Sequence, residues 1–199
     1  MSTLGKQETA FIIANILIVL CTSVLLLAIL IDFIRYHKPY DNKKKVNSWV
    51  ETGSMFLFFL VYYAIMNLKR GKLNLDSQTT SVLSIIGSIL IVLGCYVNVM
   101  GRFSLKQNWA NQVTIYHNHT LVTTGMYRLV RHPLYASIIW MLIGGCFVYA
   151  SYIALFAVLL IFIPMMHYRA EQEEKLLQSE FPEYSAYKNK VPMFFPKFF

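Results

Sequence analysis

The chain has 199 residues, 56% hydrophobic and only 14% charged, with a formal net charge of +8. Roughly a quarter of an ordinary soluble domain is charged, and a disordered chain is far less apolar, so both are excluded; three cysteines, each inside an apolar run, exclude a disulfide-stapled module. In so apolar a chain the positive charge points to anionic lipid and to fixed topology rather than to nucleic acid.

The first apolar run, 10–34, is interrupted only by Asn15 and Asp32 and is long enough to span a hydrocarbon core of about 30 Å. It is longer than a signal-peptide core and no small-residue cleavage site follows, so it is expected to be a retained span. A second run covers 49–68 and a third 82–100, the latter opened by the polar stretch 77–81. The chain is then polar over 101–132, read as a loop, before a last apolar block over 133–166. That block is broken at Tyr149-Ala150-Ser151-Tyr152, which predicts two short helices in a tight hairpin. Gly144-Gly145 is expected to let the two hairpin helices approach, and Pro164 to bend the second. The fold class is all-α: a polytopic membrane protein of about five transmembrane helices.

Charge suggests an orientation. Fourteen basic residues fall in the segments after spans one, three and five, Arg102 among them, against four at Lys6, Lys69, Arg70 and Lys72. The positive-inside rule places the amino terminus outside, and the long loop and the tail in the cytoplasm. On that topology the Asn118-His119-Thr120 acceptor triplet faces the cytoplasm and is discounted. The organisation expected is a three-span membrane scaffold over 1–100 and a second region over 101–199. In the latter, loop, hairpin and tail lie on one side and can close over each other at the membrane–water boundary.

The unusual polar residues gather after residue 100. In Arg131-His132-Pro133-Leu134-Tyr135, Pro133 suits the first turn of a helix, which places His132 at the helix entrance. The residues fit either an anion site there or an interfacial belt of Arg, His and Tyr. Arg169 and Glu173, four apart, share a helix face. They fit either an exposed ion pair or a carboxylate for a cationic cofactor beside an arginine for an anionic substrate. His117, His119 and His132 lack the partner pattern of a metal site, so no metal is expected. There is no glycine-rich phosphate loop and no GxGxxG.

The stretch from His119 to Tyr127 (HTLVTTGMY), then Arg131-His132-Pro133-Leu134-Tyr135, resembles the isoprenylcysteine carboxyl methyltransferase family. Arg169-x-x-x-Glu173-Glu174-x-x-Leu177, Phe181, Tyr184-x-x-Tyr187 and Val191-Pro192 follow in the family's order and spacing. The resemblance covers about residues 100–196, and it is the whole series, not the RHPxY box alone, that is specific. It implies that 101–199 is a catalytic region whose loop, hairpin and tail form a cytoplasmic cofactor-binding subdomain, in an S-adenosyl-L-methionine-dependent carboxyl O-methyltransferase acting on a lipid-linked carboxylate, a prenylcysteine. Carried over by position, Gln112, His119, Thr120, Leu121, Val122, Tyr127, His132, Pro133, Leu134, Tyr135 and Glu173 would line the cofactor pocket. Arg169 would bind the substrate, and Arg169 and Glu173 would carry the catalytic roles. Met193 departs from some prokaryotic relatives, which carry arginine there, and argues against a second basic anchor for the substrate.

The partners implied are an amphipathic, prenylcysteine-like substrate and membrane lipids, with no nucleic acid. The membrane would be the cell membrane in a prokaryote and the endoplasmic reticulum in a eukaryote. Other readings keep the cofactor and change the acceptor to a phospholipid amine, served by Glu174 or Tyr184, or to a quinone-like phenol. A sterol-type reductase is disfavoured by Leu134, where such enzymes carry Asn; a non-catalytic scaffold would bind no cofactor.

Overall fold

The computed structural model describes residues 3–36, 42–45, 49–108, 114–116 and 120–197. The elements in chain order are α1 (Thr3–Tyr36), β1 (Asn42–Lys45), α2 (Trp49–Asn67), α3 (Ser77–Leu105), β2 (Thr114–Tyr116), α4 (Pro133–Val148), α5 (Tyr152–Ala157), α6 (Ile163–Glu180) and α7 (Tyr184–Lys190). The fold is an all-α membrane bundle, as expected, with one short antiparallel pairing of β1 and β2.

Among the described residues, three helical stretches are long and apolar enough to cross a membrane: Gln7–Arg35, Ser77–Leu105 and Tyr152–Glu180. Two shorter apolar helices, Gly53–Asn67 and Pro133–Val148, accompany them. α4, with 16 residues, is about 24 Å long. α1 leaves Ile12, Ile16, Leu20, Leu27 and Ile34 exposed. That outward apolar face is what lipid requires.

The starts of the helices follow local chemistry. Asp76 caps α3, its carboxylate accepting from the Gln78 and Thr79 N–H groups at 3.0 Å. α3 therefore begins at the polar stretch and runs on to Leu105, so Arg102 is a helical residue and not the loop charge its sequence position suggested. Pro133 opens α4, where its missing N–H costs nothing. Ser151 caps α5 by accepting from the Ala154 N–H. Pro164 cannot donate and its ring would meet the carbonyl four residues back. The helix answers with a π turn over Val158–Phe162, in which the Ile163 N–H reaches the Val158 carbonyl.

α3 and α4 are the closest pair, and glycines are the reason. A Cβ on Gly87 would lie 2.4 Å from the Gly144 carbonyl oxygen, and one on Gly94 would lie 2.7 Å from the Ser137 carbonyl oxygen. Contact runs from Gly87 near Val148 to Gly101 near Leu134, so the helices are antiparallel. The expected role of Gly144-Gly145 in the hairpin is thereby corrected. Gly144 meets α3, and a Cβ on Gly145 would strike the Tyr62 hydroxyl of α2, 2.5 Å away. A small residue serves whichever neighbour comes closest, and here that is not the next helix in sequence.

The two ends of the bundle are pinned separately. At one end, Leu73 N–H donates to the Ala150 carbonyl and Tyr152 N–H to Gly71, so the α2–α3 connection lies on the turn after α4. Near the other end, Arg102 Nη1 is 2.6 Å from Asp32 Oδ2 of α1, and the Asn98 amide donates to Ser137 Oγ of α4 at 2.7 Å. α1, α3 and α4 are thus joined where the polar segments gather.

Candidate active site

The tail is drawn onto the entrance of α4 by the backbone. Arg131 N–H donates to the Pro192 carbonyl at 2.8 Å and His132 N–H to the Met193 carbonyl at 3.2 Å. The Arg131 guanidinium donates to the Val191 and Lys188 carbonyls. Tyr187 donates its hydroxyl to the Tyr127 carbonyl at 2.6 Å. The proline-rich tail is therefore one wall of a packed unit.

Glu174 organises the interior of this unit. It is 1% exposed and is met by two cations and an imidazole: Arg131 Nε at 2.7 Å, Lys188 Nζ at 2.8 Å and His132 Nε2 at 3.0 Å. Its neighbour Glu173 turns the other way, toward a cavity, and keeps 38% of its side-chain surface accessible. The Tyr135 hydroxyl donates to Glu173 Oε2 at 3.0 Å and accepts from Arg169 Nε at 3.1 Å. The Arg169 guanidinium also lies 5.8 Å from the Tyr135 ring centre and donates to the sulfur of Met55 on α2. Tyr135 thus stands between the two residues that sequence spacing had suggested as a direct ion pair.

His132 stacks on Tyr135 at 5.5 Å and is buried. Burial pulls its pKa down, but the hydrogen bonds it donates to Glu173 and Glu174, with their charges, outweigh it, so the net shift is upward. Burial, followed by the charge of Glu173, pushes the Tyr127 hydroxyl well up; Arg102 pulls it back.

The cavity has a volume of about 1070 Å³. One end is polar, with Arg102, Asn108, Thr120, Tyr127, His132, Tyr135, Arg169 and Glu173. The remainder is mostly apolar, drawn from α1, α2 and α4 through residues such as Leu25, Ile29, Phe59, Met66 and Ile138, with Asn15, Thr22 and Asn67 interspersed. Of the residues singled out from sequence, Thr120, Leu121, Val122, Tyr127, His132, Leu134, Tyr135, Arg169 and Glu173 all line it. Pro133 is buried at the start of α4 against Gly101, behind the lining. Gln112 and His119 lie outside the described residues.

Two expectations change. The His132 N–H and ring nitrogens are all engaged, by Met193, Glu173 and Glu174, so His132 supports the wall and is not placed to receive a ligand carboxylate. Glu174, the carboxylate considered for an amine acceptor, is buried under Arg131, Lys188 and His132. Sequence reasoning missed Asn108, whose amide donates to Thr120 Oγ1 at 3.0 Å while its carbonyl accepts the Thr120 N–H at 3.1 Å. It also missed Arg102. Among the described residues, no group of three or more His, Cys, Asp or Glu side chains is arranged to hold a metal ion.

Residues 86–179 match the model of the isoprenylcysteine carboxyl methyltransferase (ICMT) family. Over 123 residues, 60% of the chain, it is 29% identical to protein-S-isoprenylcysteine O-methyltransferase of Saccharomyces cerevisiae, of which it covers 52%. Over 81 residues, 40% of the chain, it is 38% identical to the cobalt-zinc-cadmium resistance protein CzcN of Cupriavidus metallidurans, of which it covers 37%. The chain therefore spans about half the length of the first of these relatives and just over a third of the second.

Proposed function

We propose that the chain is a membrane-embedded, S-adenosyl-L-methionine-dependent carboxyl O-methyltransferase, a reading supported by the match of residues 86–179 to the ICMT family model. Its acceptor is a lipid-linked carboxylate of the prenylcysteine type. The observation that carries the proposal is the cavity itself. A single space joins an arginine, a tyrosine and an open carboxylate to apolar walls built by membrane helices. A ligand that fits it has a charged head and a hydrocarbon tail.

The residues present suit the cofactor. The volume exceeds what a ligand of that size needs. Glu173, accessible from the cavity, can accept from an amine or a ribose hydroxyl. Leu121 and Val122 present backbone and apolar surface to an adenine, and Asn108 fixes Thr120 beside them. When bound, the cofactor supplies a methyl group already activated by its sulfonium.

The chain's own residues then have a limited task. A terminal carboxylate has a pKa near 3.5, is ionised at neutral pH and needs no base. Arg169 can hold it through two parallel N–H groups and present one oxygen. Tyr135 fixes Arg169 relative to Glu173, so both binding groups are oriented by one hydroxyl. The tail and α7 close the polar end from water, and the apolar walls receive the lipid tail. The scaffold is 1–100 and the catalytic region 101–199, with the amino terminus outside and the polar end cytoplasmic.

The test is to supply labelled cofactor and a small prenylcysteine acceptor to protein in liposomes and to count base-labile, volatile label. Methanol release supports the proposal. Cofactor binding without ester redirects the search to a phenol or another acceptor, and no binding leaves the reductase or scaffold readings.

A further inference from the structure

A methyl donor of this class carries a carboxylate beside its amine, and that carboxylate needs a cation. Among the described residues, four basic side chains line the cavity: Arg102, Arg131, His132 and Arg169. Arg131 is committed to Glu174 and to the carbonyls of Lys188 and Val191. His132 is committed to the two glutamates. Arg169 lies against Tyr135 and Met55 and is assigned to the acceptor.

Arg102 differs from these in position and support. It lines the cavity together with Leu105, Asn108 and Thr120, on the side of the loop that would receive the cofactor. Asp32 Oδ2 holds its Nη1 at 2.6 Å, and Asn98 Oδ1 holds its Nε at 2.8 Å. Asn98 is itself fixed by Ser137. Asp32 is 6% exposed and Asn98 1% exposed, so the guanidinium is gripped from within the protein. An ion pair buried near the end of membrane helices costs desolvation that apolar packing would avoid, and such a pair commonly marks a functional site. Asn98 also reaches the Leu134 carbonyl at 3.4 Å, one residue before the Tyr135 that bonds Glu173, which places Arg102 and Glu173 at the same end of the cavity.

We propose that Arg102, oriented by Asp32 and Asn98, binds the carboxylate of the methyl donor's amino-acid end while Glu173 takes the amine. The assignment rests on the methyltransferase reading. It also gives α1, which lies outside residues 86–179, a part in the cofactor site, because Asp32 sets the direction of the arginine.

The test compares two ligands by calorimetric titration of detergent-solubilised protein: S-adenosylhomocysteine and its decarboxylated analogue, which keeps the adenosine and the amine. Wild-type protein is expected to prefer S-adenosylhomocysteine by about ten- to a hundredfold. Arg102→Gln is expected to reduce that preference to about twofold or less, with the affinity for the analogue unchanged. The analogue thereby reports on the fold. Retention of the full preference by Arg102→Gln, with the analogue still bound, overturns the assignment and leaves the methyltransferase reading standing. Should Arg102→Gln bind neither ligand, Arg102→Lys decides, since it keeps the charge and loses the fork. A preference lowered about fivefold or more then supports the assignment, and an undiminished one overturns it. Wild-type protein that binds neither ligand overturns both readings together.

Discussion

Arg131 and Glu174, 43 positions apart, meet at 2.7 Å at a point where the glutamate has almost no exposed surface. The contact ties the segment before α4 to α6, and the same arginine reaches the tail. Replacing Glu174 by Gln leaves Arg131, His132 and Lys188 without their common anion. Removing one partner from a buried pair costs about 3–5 kcal/mol. The expected result is a large drop in melting temperature in detergent, and a variant that melts with wild type would remove Glu174 from the centre of the unit.

The raised pKa of His132 has a definite sign. Protonated His132 is favoured in the folded chain by Glu173 and Glu174, so its contribution is fully present below the unfolded value near 6.5. It is lost as pH rises through the higher folded value. Melting temperature measured from pH 5.5 upward should therefore fall through that window, and His132→Gln should flatten this part of the profile. A wild-type profile that rises across the window contradicts the assignment.

Tyr135→Phe removes only the hydroxyl between Arg169 and Glu173. The loss in stability should be about 1 kcal/mol, as for a single hydrogen bond. Loss of alignment should be felt more strongly, with kcat lower by about tenfold or more. Paired melting and steady-state measurements separate the two effects; equal, small changes in both would make the tyrosine merely structural.

Glu173 and Arg169 should separate cleanly. Glu173→Ala is expected to weaken cofactor binding by about ten- to a hundredfold or abolish it. Arg169→Ala should leave that binding nearly intact and lower turnover by about a hundredfold. Titration with cofactor and turnover on the same preparations check this, and the opposite pattern exchanges the two roles.

The α3–α4 crossing offers a packing test with an internal control. Gly87→Ala places a methyl 2.4 Å from the Gly144 carbonyl oxygen, where backbone has to move. A cost of about 1–3 kcal/mol is expected. Gly53→Ala, with nothing within 4 Å, should be nearly neutral. Thermal unfolding of the two variants side by side decides the matter.

Much of this architecture was legible in the sequence, because membrane spans are written as apolar runs and helix starts as capping residues. The break at residues 149–152 and the start at Pro133 lie where composition placed them. Arg102 was not legible as part of the site. As one basic residue after an apolar run it reads as a topology signal, and its partner Asp32 is 70 positions away. The seat of Gly144 was hidden for the same reason, since a glycine states that something comes close without stating what. The different fates of Glu173 and Glu174 were equally closed to sequence. Adjacent helical residues point about 100° apart, and only the packed tail determines which of them meets cations and which meets the cavity.

The π turn at Val158–Phe162 governs that division from a distance. It accommodates one residue beyond the α-helical count, so every position after it is rotated by about 100° relative to an uninterrupted helix. Arg169, Glu173 and Glu174 owe their rotational phase to a segment about two to three turns away, embedded among apolar side chains. Deleting a single residue there would spare every side chain of the site and still swing both carboxylates off their partners. In this helix the spacing of apolar residues is as much a part of the chemistry as the charges it carries.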